Sequence, residues 1–211
     1  MNLLHSCPNL SYTTYLNMDY THIEEYVASQ VSKRRYNHCI STASEAQMLL
    51  ERYKPYLELS DDAYLAGLWH DSCREWQDVA LLAYCDQHEL AFSCLERRFP
   101  MLLHGLVASE TIRAYVPQVS TAVCLAIRWH TLGSKDMGVL GAAIYAADYM
   151  EPLRAHLGKG EREELLCSDT LESLCLAIIT RHLDHVSRRD KKPAESTLDL
   201  ADFLVKGGQF T

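Results

Sequence analysis

The chain has 211 residues, 48% of them hydrophobic, and a formal net charge of −8 at pH 7. This length allows one ordinary domain with a full core, and only 9 Gly and 6 Pro favour packed helices over a turn-rich sandwich or a disordered chain. The negative charge disfavours a nucleic-acid partner, because such a surface uses a basic stripe to displace counterions. No apolar run approaches the about 20 residues that a membrane-spanning helix requires, so no membrane partner is expected.

The cysteines and the N-terminus indicate where the protein resides. Eight Cys occur without any Cys-x-x-Cys pair and mostly in apolar stretches, which is typical of reduced core thiols in a cytosolic protein. The first 18 residues have neither a basic start nor a sustained apolar run, so they predict neither a signal peptide nor an anchor. We expect a cytoplasmic protein with a loose tail over 1–18 and a single helical domain over 19–211.

The apolar periodicity predicts an all-α chain, since alternating strand patterns are absent. A first helix begins at Asp19, and Ser32 offers an N-cap for the second. Ser60, Asp61 and Asp62 supply the cap and the first-turn acids of the third helix. Further helices are expected over 76–90, 91–98, 100–117 with Pro100 in the first turn, 119–130, 139–150, 161–187 with a break at Ser168 and Asp169, and 197–205.

The third helix runs apolar for two turns and then presents His70 and Asp71 as neighbours. Adjacent helical residues point about 100° apart, so the pair can reach two sides of one buried ion cluster. Arg74 lies four residues beyond His70 and three beyond Asp71, which predicts the same side of the helix one turn further on. By itself, a His-Asp dipeptide after an apolar run is more often a helix end whose imidazole is hydrogen-bonded than a metal site.

Other candidate ligands lie within or beside hydrophobic helical segments: His38, His104, His130 and Asp148. Gly133 suits the left-handed residue after a helix, so His130 is expected in the last turn, facing the loop 131–138. Buried His and Asp need partners, and one shared ion site supplies them. Four imidazoles and two carboxylates suit a divalent ion of high coordination number, such as iron, manganese, nickel or magnesium, better than structural zinc.

The order of these residues resembles the HD-domain metal-dependent phosphohydrolases. It is most similar to the branch typified by the bacterial YqeK proteins, the symmetrical bis(5'-nucleosyl)-tetraphosphatases, which hydrolyse diadenosine tetraphosphate. The resemblance is carried by RYNH at 35–38, AYLAGLWHD at 63–71, LHG at 103–105, IRWHT at 127–131, IYAADYMEPLR at 144–154 and STLDL at 196–200.

The resemblance implies a helical bundle with a dinuclear metal site in its core. One ion would be held by His38, His70, Asp71 and Asp148, and the other by Asp71, His104 and His130, so that Asp71 bridges them. The resemblance also implies iron as the metal, and attack of a metal-bridging hydroxide on diadenosine tetraphosphate or a related dinucleoside polyphosphate to give two ADP.

Several basic residues are candidates to stabilise phosphate charge. Arg35 and Arg74 are predicted to act in catalysis with Asp71, because each lies one turn from a candidate ligand. Arg128 and Arg154 are predicted substrate contacts, with surface cations at helix ends as the alternative.

Thr131 and Lys135, in the loop after His130, are also predicted to contact substrate phosphate, with a solvated loop as the alternative. The remaining histidines match no motif and are expected to be surface or structural: His5, His22, His88, His156, His182 and His185. Two other functions stay open, namely an HD phosphohydrolase of another nucleotide or phosphoester and a non-catalytic metal- and nucleotide-binding module. A homodimer is also left open.

Overall fold

The computed structural model describes residues 20–154, 157–158 and 160–211, so the predicted tail over 1–18 lies outside the described residues. The described part contains α-helices and one 3-10 helix but no strand, which confirms the all-α prediction. The helices are α1 Thr21–Gln30, α2 Lys33–Tyr53, α3 Ser60–Trp69, α4 Asp78–Gln87, α5 Cys94–Arg98, the 3-10 helix Pro100–Leu103, α6 His104–Tyr115, α7 Thr121–Trp129, α8 Gly138–Met150, α9 Glu161–Leu166, α10 Leu171–Arg188 and α11 Glu195–Val205. None of these helices combines the length and the apolar character needed to cross a membrane.

Three predicted helix boundaries agree with the structure. The Ser32 hydroxyl accepts from the backbone N–H of Arg35 at 3.3 Å, as an N-cap side chain does. Gly133 has a φ of +69°, the left-handed conformation expected after α7. The predicted break at Ser168 and Asp169 separates α9 from α10.

Three local predictions are wrong. The N-cap of α3 is Leu59, which makes no side-chain cap, and the Ser60 hydroxyl instead accepts from Gln47 Nε2 at 2.9 Å. Pro100 begins a short 3-10 helix, not the first turn of α6. The third helix ends at Trp69 and residues 70–75 continue as turns, so the one-turn relation predicted for Arg74 does not hold.

The core lies where α2, α3, α7 and α8 pack against one another. Trp69 is fully buried, and its indole N–H donates to the Ala108 carbonyl of α6 at 3.1 Å, which ties the end of α3 to α6. The connected core includes residues from Ile23 to Phe210. This continuity is what a single domain over 19–211 requires, and that boundary stays a prediction.

The closest approach of α2 and α3 depends on Gly67. A Cβ at this position would lie 2.4 Å from the Cα of Ala43 and 2.7 Å from its backbone nitrogen. Real side chains do not tolerate such distances to backbone atoms, so glycine is required here for close packing. This approach brings His38 of α2 to His70, with their Nε2 atoms 3.3 Å apart.

We expect Gly67→Ala to destabilise the protein by about 2 kcal/mol or more, because overpacking a core forces backbone shifts. In an exposed helix the same change would stabilise by up to about 1 kcal/mol, so the sign of the effect identifies the cause. Urea unfolding measures it. Adding Ala43→Gly should not rescue the variant, since the clash is with backbone atoms. Rescue would show that the side chain of Ala43 alone fills the contact.

Asp62, in the first turn of α3, is a buried carboxylate outside the centre. It is 5% exposed, its Oδ2 accepts from the Ser120 hydroxyl at 3.3 Å, and its Oδ1 has no hydrogen-bond partner within the described part of the chain. Burial raises its pKa from 3.8 to about 6, and the Ser120 hydrogen bond offsets only part of this shift. The folded state therefore favours the protonated carboxyl.

We expect Asp62→Asn to stabilise the protein at pH 7 by about 1 kcal/mol, because it removes an ionised carboxylate that is poorly solvated. A raised folded-state pKa means that the contribution of Asp62 is fully present below about pH 4 and is lost as the pH rises through 6. The advantage of the variant should therefore grow from pH 4 to pH 7 in urea unfolding. Asp61→Asn, in the same turn, is the matched control, and an equal gain there would contradict the role of burial.

Candidate metal centre

The fold brings the six predicted ligands together. His38 lies on α2, His70 and Asp71 directly follow α3, and His104 begins α6. The remaining two are His130, directly after α7, and Asp148, near the end of α8. They form three overlapping groups whose ligand atoms lie within 4.8 Å of one another: His38 with His70 and Asp71, His70 with His130 and Asp148, and Asp71 with His104 and His130. All are buried except Asp148, which is partly buried.

Three of the imidazoles are oriented by the same local hydrogen bond. The Nδ1 atoms of His70, His104 and His130 lie 2.6, 2.6 and 2.7 Å from the backbone carbonyl three residues earlier. A carbonyl oxygen only accepts, so each Nδ1 carries the proton and donates it. In the neutral ring this leaves a bare lone pair on Nε2, and all three Nε2 atoms face the centre.

The fourth imidazole is oriented by a carboxylate that the sequence analysis did not select. His38 Nδ1 lies 3.0 Å from Oε1 of Glu151, which is 2% exposed. Burial by itself would raise the pKa of Glu151, but the hydrogen bond from His38 lowers it, so the side chain is ionised. Such a carboxylate behind a histidine ligand fixes the tautomer and makes Nε2 more basic. The sequence signal for this role is weak: it is an acidic residue three positions after the candidate ligand Asp148.

The two oxygens of Asp71 face different pairs of imidazoles. Oδ2 lies 3.5 Å from Nε2 of His38 and of His70. Oδ1 lies 3.2 Å from Nε2 of His104 and 3.5 Å from that of His130. Asp71 thus stands between two groups of donors.

Asp148 completes the first of these groups. Its Oδ1 lies 2.9 Å from Nε2 of His38 and 3.5 Å from that of His70. Burial alone would raise the pKa values of Asp71 and Asp148, but the neighbouring imidazoles, His70 for Asp71 and His38 for Asp148, hold both well below the usual range. Both carboxylates are therefore ionised and available to a cation.

The histidines divide according to the carboxylates around them. Burial lowers the pKa of His38, but hydrogen bonds with Asp148, Asp71 and Glu151 raise it to about 10. Burial dominates at His130 and lowers its pKa to about 4, so this ring is neutral at physiological pH. The surroundings of His38 Nε2 therefore stabilise positive charge. A metal ion bound there would displace the proton from Nε2.

The donor set fits a divalent metal ion. Nε2 of His104 and Nε2 of His130 are 3.0 Å apart, although each ring donates a hydrogen bond from Nδ1 to a backbone carbonyl. A divalent ion bound beside the two Nε2 atoms would be coordinated by both. The imidazole and carboxylate donors match the preferences of iron, manganese and nickel, with no thiolate among the grouped ligands.

Two of the predicted arginines reach the centre. Arg35 Nη1 donates to Asp71 Oδ2 at 2.7 Å, and 26% of the Arg35 side chain is exposed. Arg154 donates through Nε to the Asp148 carbonyl at 2.6 Å and through Nη2 to the Asp148 carboxylate. Both guanidinium groups therefore lie at the rim, between the carboxylates and the solvent.

The other predicted contacts are placed differently. The Thr131 hydroxyl lies 2.9 Å from Nε2 of His130, so it is beside the centre. Arg128 instead donates to Glu96 of α5 at 2.6 Å and is 13% exposed, which matches neither a substrate contact nor a free surface cation. Lys135 is exposed, and Arg74 is partly buried in the turn after Asp71.

A cleft of about 610 Å³ opens beside the centre. His130, Thr131 and Asp148 are among its lining residues, and residues of α10 form another of its walls. This volume is in the range of small-molecule and cofactor sites. The donor cluster is thus accessible to a ligand of nucleotide size.

We expect Glu151→Gln to weaken divalent metal affinity by about 10- to 100-fold, because the variant removes the carboxylate that orients His38. Titration of the apoprotein with ferrous iron or manganese measures the affinity directly. Glu25→Gln, whose parent side chain is 72% exposed on α1, is the matched control and should bind metal as the wild type does. Equal affinity in the two variants would show that Glu151 only terminates α8.

Comparison with known proteins agrees with this geometry, although no protein-family model matches the chain. The chain is 28% identical over 152 residues to the symmetrical bis(5'-nucleosyl)-tetraphosphatase of Bacillus subtilis, covering 72% of this chain and 80% of that one. It is 25% identical over 175 residues to the enzyme of the same name from Staphylococcus aureus, covering 82% and 88%.

A solved structure gives the same result for the fold. A predicted HD superfamily hydrolase involved in NAD metabolism from Clostridium acetobutylicum superposes with a TM-score of 0.81 at 25% identity, covering 90% of this chain and 98% of that one. The resemblance carried by the motif blocks is confirmed: the chain is similar in sequence to symmetrical bis(5'-nucleosyl)-tetraphosphatases and similar in fold to an HD superfamily hydrolase.

Proposed function

We propose that this chain is a symmetrical bis(5'-nucleosyl)-tetraphosphatase, a metal-dependent hydrolase that converts diadenosine tetraphosphate and related dinucleoside polyphosphates to two nucleoside diphosphates. The observation that carries the proposal is the buried centre of four imidazoles and two carboxylates that opens into a cleft of about 610 Å³. The names of the curated relatives from Bacillus subtilis and Staphylococcus aureus supply the substrate class.

We further propose that the centre holds two divalent ions, with iron as the first choice. Support comes from Asp71, whose two oxygens each face a separate pair of imidazoles. His38, His70 and Asp148 would complete one coordination sphere, while His104 and His130 would complete the other. When bound, such an ion pair supplies an acidified water and polarises a phosphoryl oxygen.

The reaction adds one water across the central anhydride. The water oxygen bonds to one of the two inner phosphorus atoms, and the bond from that phosphorus to the bridging oxygen breaks. One ADP carries the new hydroxyl oxygen, and the other leaves as the phosphate oxyanion. Arg35 and Arg154, at the rim beside Asp71 and Asp148, are placed to bind the phosphate oxygens whose charge grows during this step.

Thr131 contributes at the inner end of the cleft. Its hydroxyl lies 3.2 Å from Nε2 of His104 and 2.9 Å from Nε2 of His130, so it is within reach of a phosphoryl group bound there. Arg74, in the turn after Asp71, stays a proposed catalytic cation, and Lys135 a proposed phosphate contact. For Arg128 the ion pair with Glu96 favours a role in packing α7 against α5.

The two alternatives raised by the sequence have weaker support. A complete set of six converging ligands argues against a module that only binds nucleotide. The names of the relatives argue against a different phosphoester as substrate.

Location and assembly are part of the proposal. We place the enzyme in the cytoplasm, because every cysteine in the described part of the chain is a free thiol. Neither a nucleic acid nor a membrane is proposed as a partner. All six ligands come from one chain, so a homodimer, which the sequence leaves open, is not needed to build the centre.

We expect anaerobically purified protein loaded with ferrous iron to convert diadenosine tetraphosphate to ADP alone, measured by ion-exchange chromatography of the products. Asp71→Ala should lose activity to background, because it removes the carboxylate shared by both groups of donors. Asp136→Asn, an exposed acidic residue in the loop after α7, is the matched control and should retain activity. AMP with ATP as products would contradict symmetrical cleavage, and no product from metal-loaded protein would contradict the proposed activity.

A further inference from the structure

The α10 wall of the cleft contains basic residues that the sequence analysis did not assign to the site. Arg181, His185 and Arg188 are spaced four and three residues apart, so they share one face of the helix. All three line the cleft, together with His182 and Asp184, and Arg188 is already paired with Asp184, its Nη2 lying 2.6 Å from the carboxylate Oδ2. This places His182 and His185, expected to be surface or structural, beside the ligand-sized space.

Arg181 has an unusual hydrogen-bonding position among them. Its Nη2 lies 2.8 Å from Oε2 of Glu164, whose side chain is 71% exposed. Its Nη1 is buried and has no hydrogen-bond partner within the described residues. The Arg181 side chain as a whole is 27% exposed, and an ion pair with so exposed a carboxylate is weak, so its outer edge is free to bind an anion in the cleft.

The cleft connects this guanidinium to the metal centre. Asp148 and Tyr149 are adjacent on α8, and both line the same space as Arg181. An anion with one end at the centre and the other against α10 would thus extend along the cleft.

We propose that Arg181 binds the outer phosphate of one ADP half of the substrate, with the α10 wall as the subsite for that half. The inference rests on the proposed function, since it takes the two inner phosphates to lie at the centre. A guanidinium group suits a phosphate because it donates in a fork that matches two oxygens. The cleft of about 610 Å³ accommodates the attached nucleoside.

The test compares Arg181→Met with the wild type in two measurements: steady-state hydrolysis of diadenosine tetraphosphate, and calorimetric binding of ADP to the metal-loaded protein. We expect KM to rise by roughly tenfold or more and ADP affinity to fall by a similar factor, with kcat within about twofold, because Arg181 binds ground and transition states alike. Arg113→Met, on α6 and outside the cleft lining, should change none of these values.

A second variant separates ligand binding from support of the fold. Glu164→Gln breaks the ion pair with Arg181 but leaves the guanidinium in the cleft, so KM should stay near the wild-type value. If Glu164→Gln raises KM as much as Arg181→Met does, or if Arg181→Met leaves KM and ADP affinity unchanged, the proposal is overturned. Arg181→Lys keeps the charge and loses the fork, and it should give an intermediate KM if the methionine variant does not fold.

Failure of the proposed function gives a different result. Wild-type protein that binds ADP and loses that binding in Arg181→Met, but releases no ADP from diadenosine tetraphosphate, would contradict the hydrolase and retain the subsite. Hydrolysis by the wild type with equal KM in Arg181→Met would retain the hydrolase and reject the subsite.

Discussion

Asp71 is one carboxylate whose two oxygens face different pairs of imidazoles, His38 and His70 on one side and His104 and His130 on the other. Burying an ionised carboxylate is costly unless positive charge and hydrogen bonds compensate. Here Arg35 donates to Oδ2, and imidazoles from four separate helical segments surround both oxygens. The packing of α2, α3, α6 and α7 is therefore arranged around this side chain. The same constraint explains why the centre is buried while only its rim, at Arg35 and Arg154, meets solvent.

The ends of helices help to orient the imidazoles around this carboxylate. His70 and His130 directly follow a helix, where carbonyls of the last turn have no helical partner and are free to accept from Nδ1, while His104 begins α6 and donates to the Met101 carbonyl of the 3-10 helix. His38 lies within α2, where the carbonyls are already engaged, and it takes the carboxylate of Glu151 instead. Two physical routes thus give the same result, an Nε2 atom directed at the centre.

The contacts of three arginines show what sequence spacing can and cannot predict. The spacing of Arg35 and His38 predicts a shared helix, and both residues lie on α2 in the structure. Arg154 and Arg128 were equal candidates by sequence, but one reaches Asp148 and the other pairs with Glu96 of α5. Nothing in the spacing of residues along α7 specifies a partner on α5, because that pair depends on how two distant helices pack.

From the sequence alone we could predict the helices, the caps at Ser32 and Gly133 and the six candidate ligands that the fold brings together. Apolar periodicity and capping act over a few residues. A buried His or Asp requires a hydrogen-bond partner or an ion at any position in the chain. Three features are visible only in the tertiary structure: Glu151 orients His38, α3 ends at Trp69, and Arg181 lines the cleft. These features depend on contacts between segments far apart in the chain, and short-range preferences contain no information about such distances.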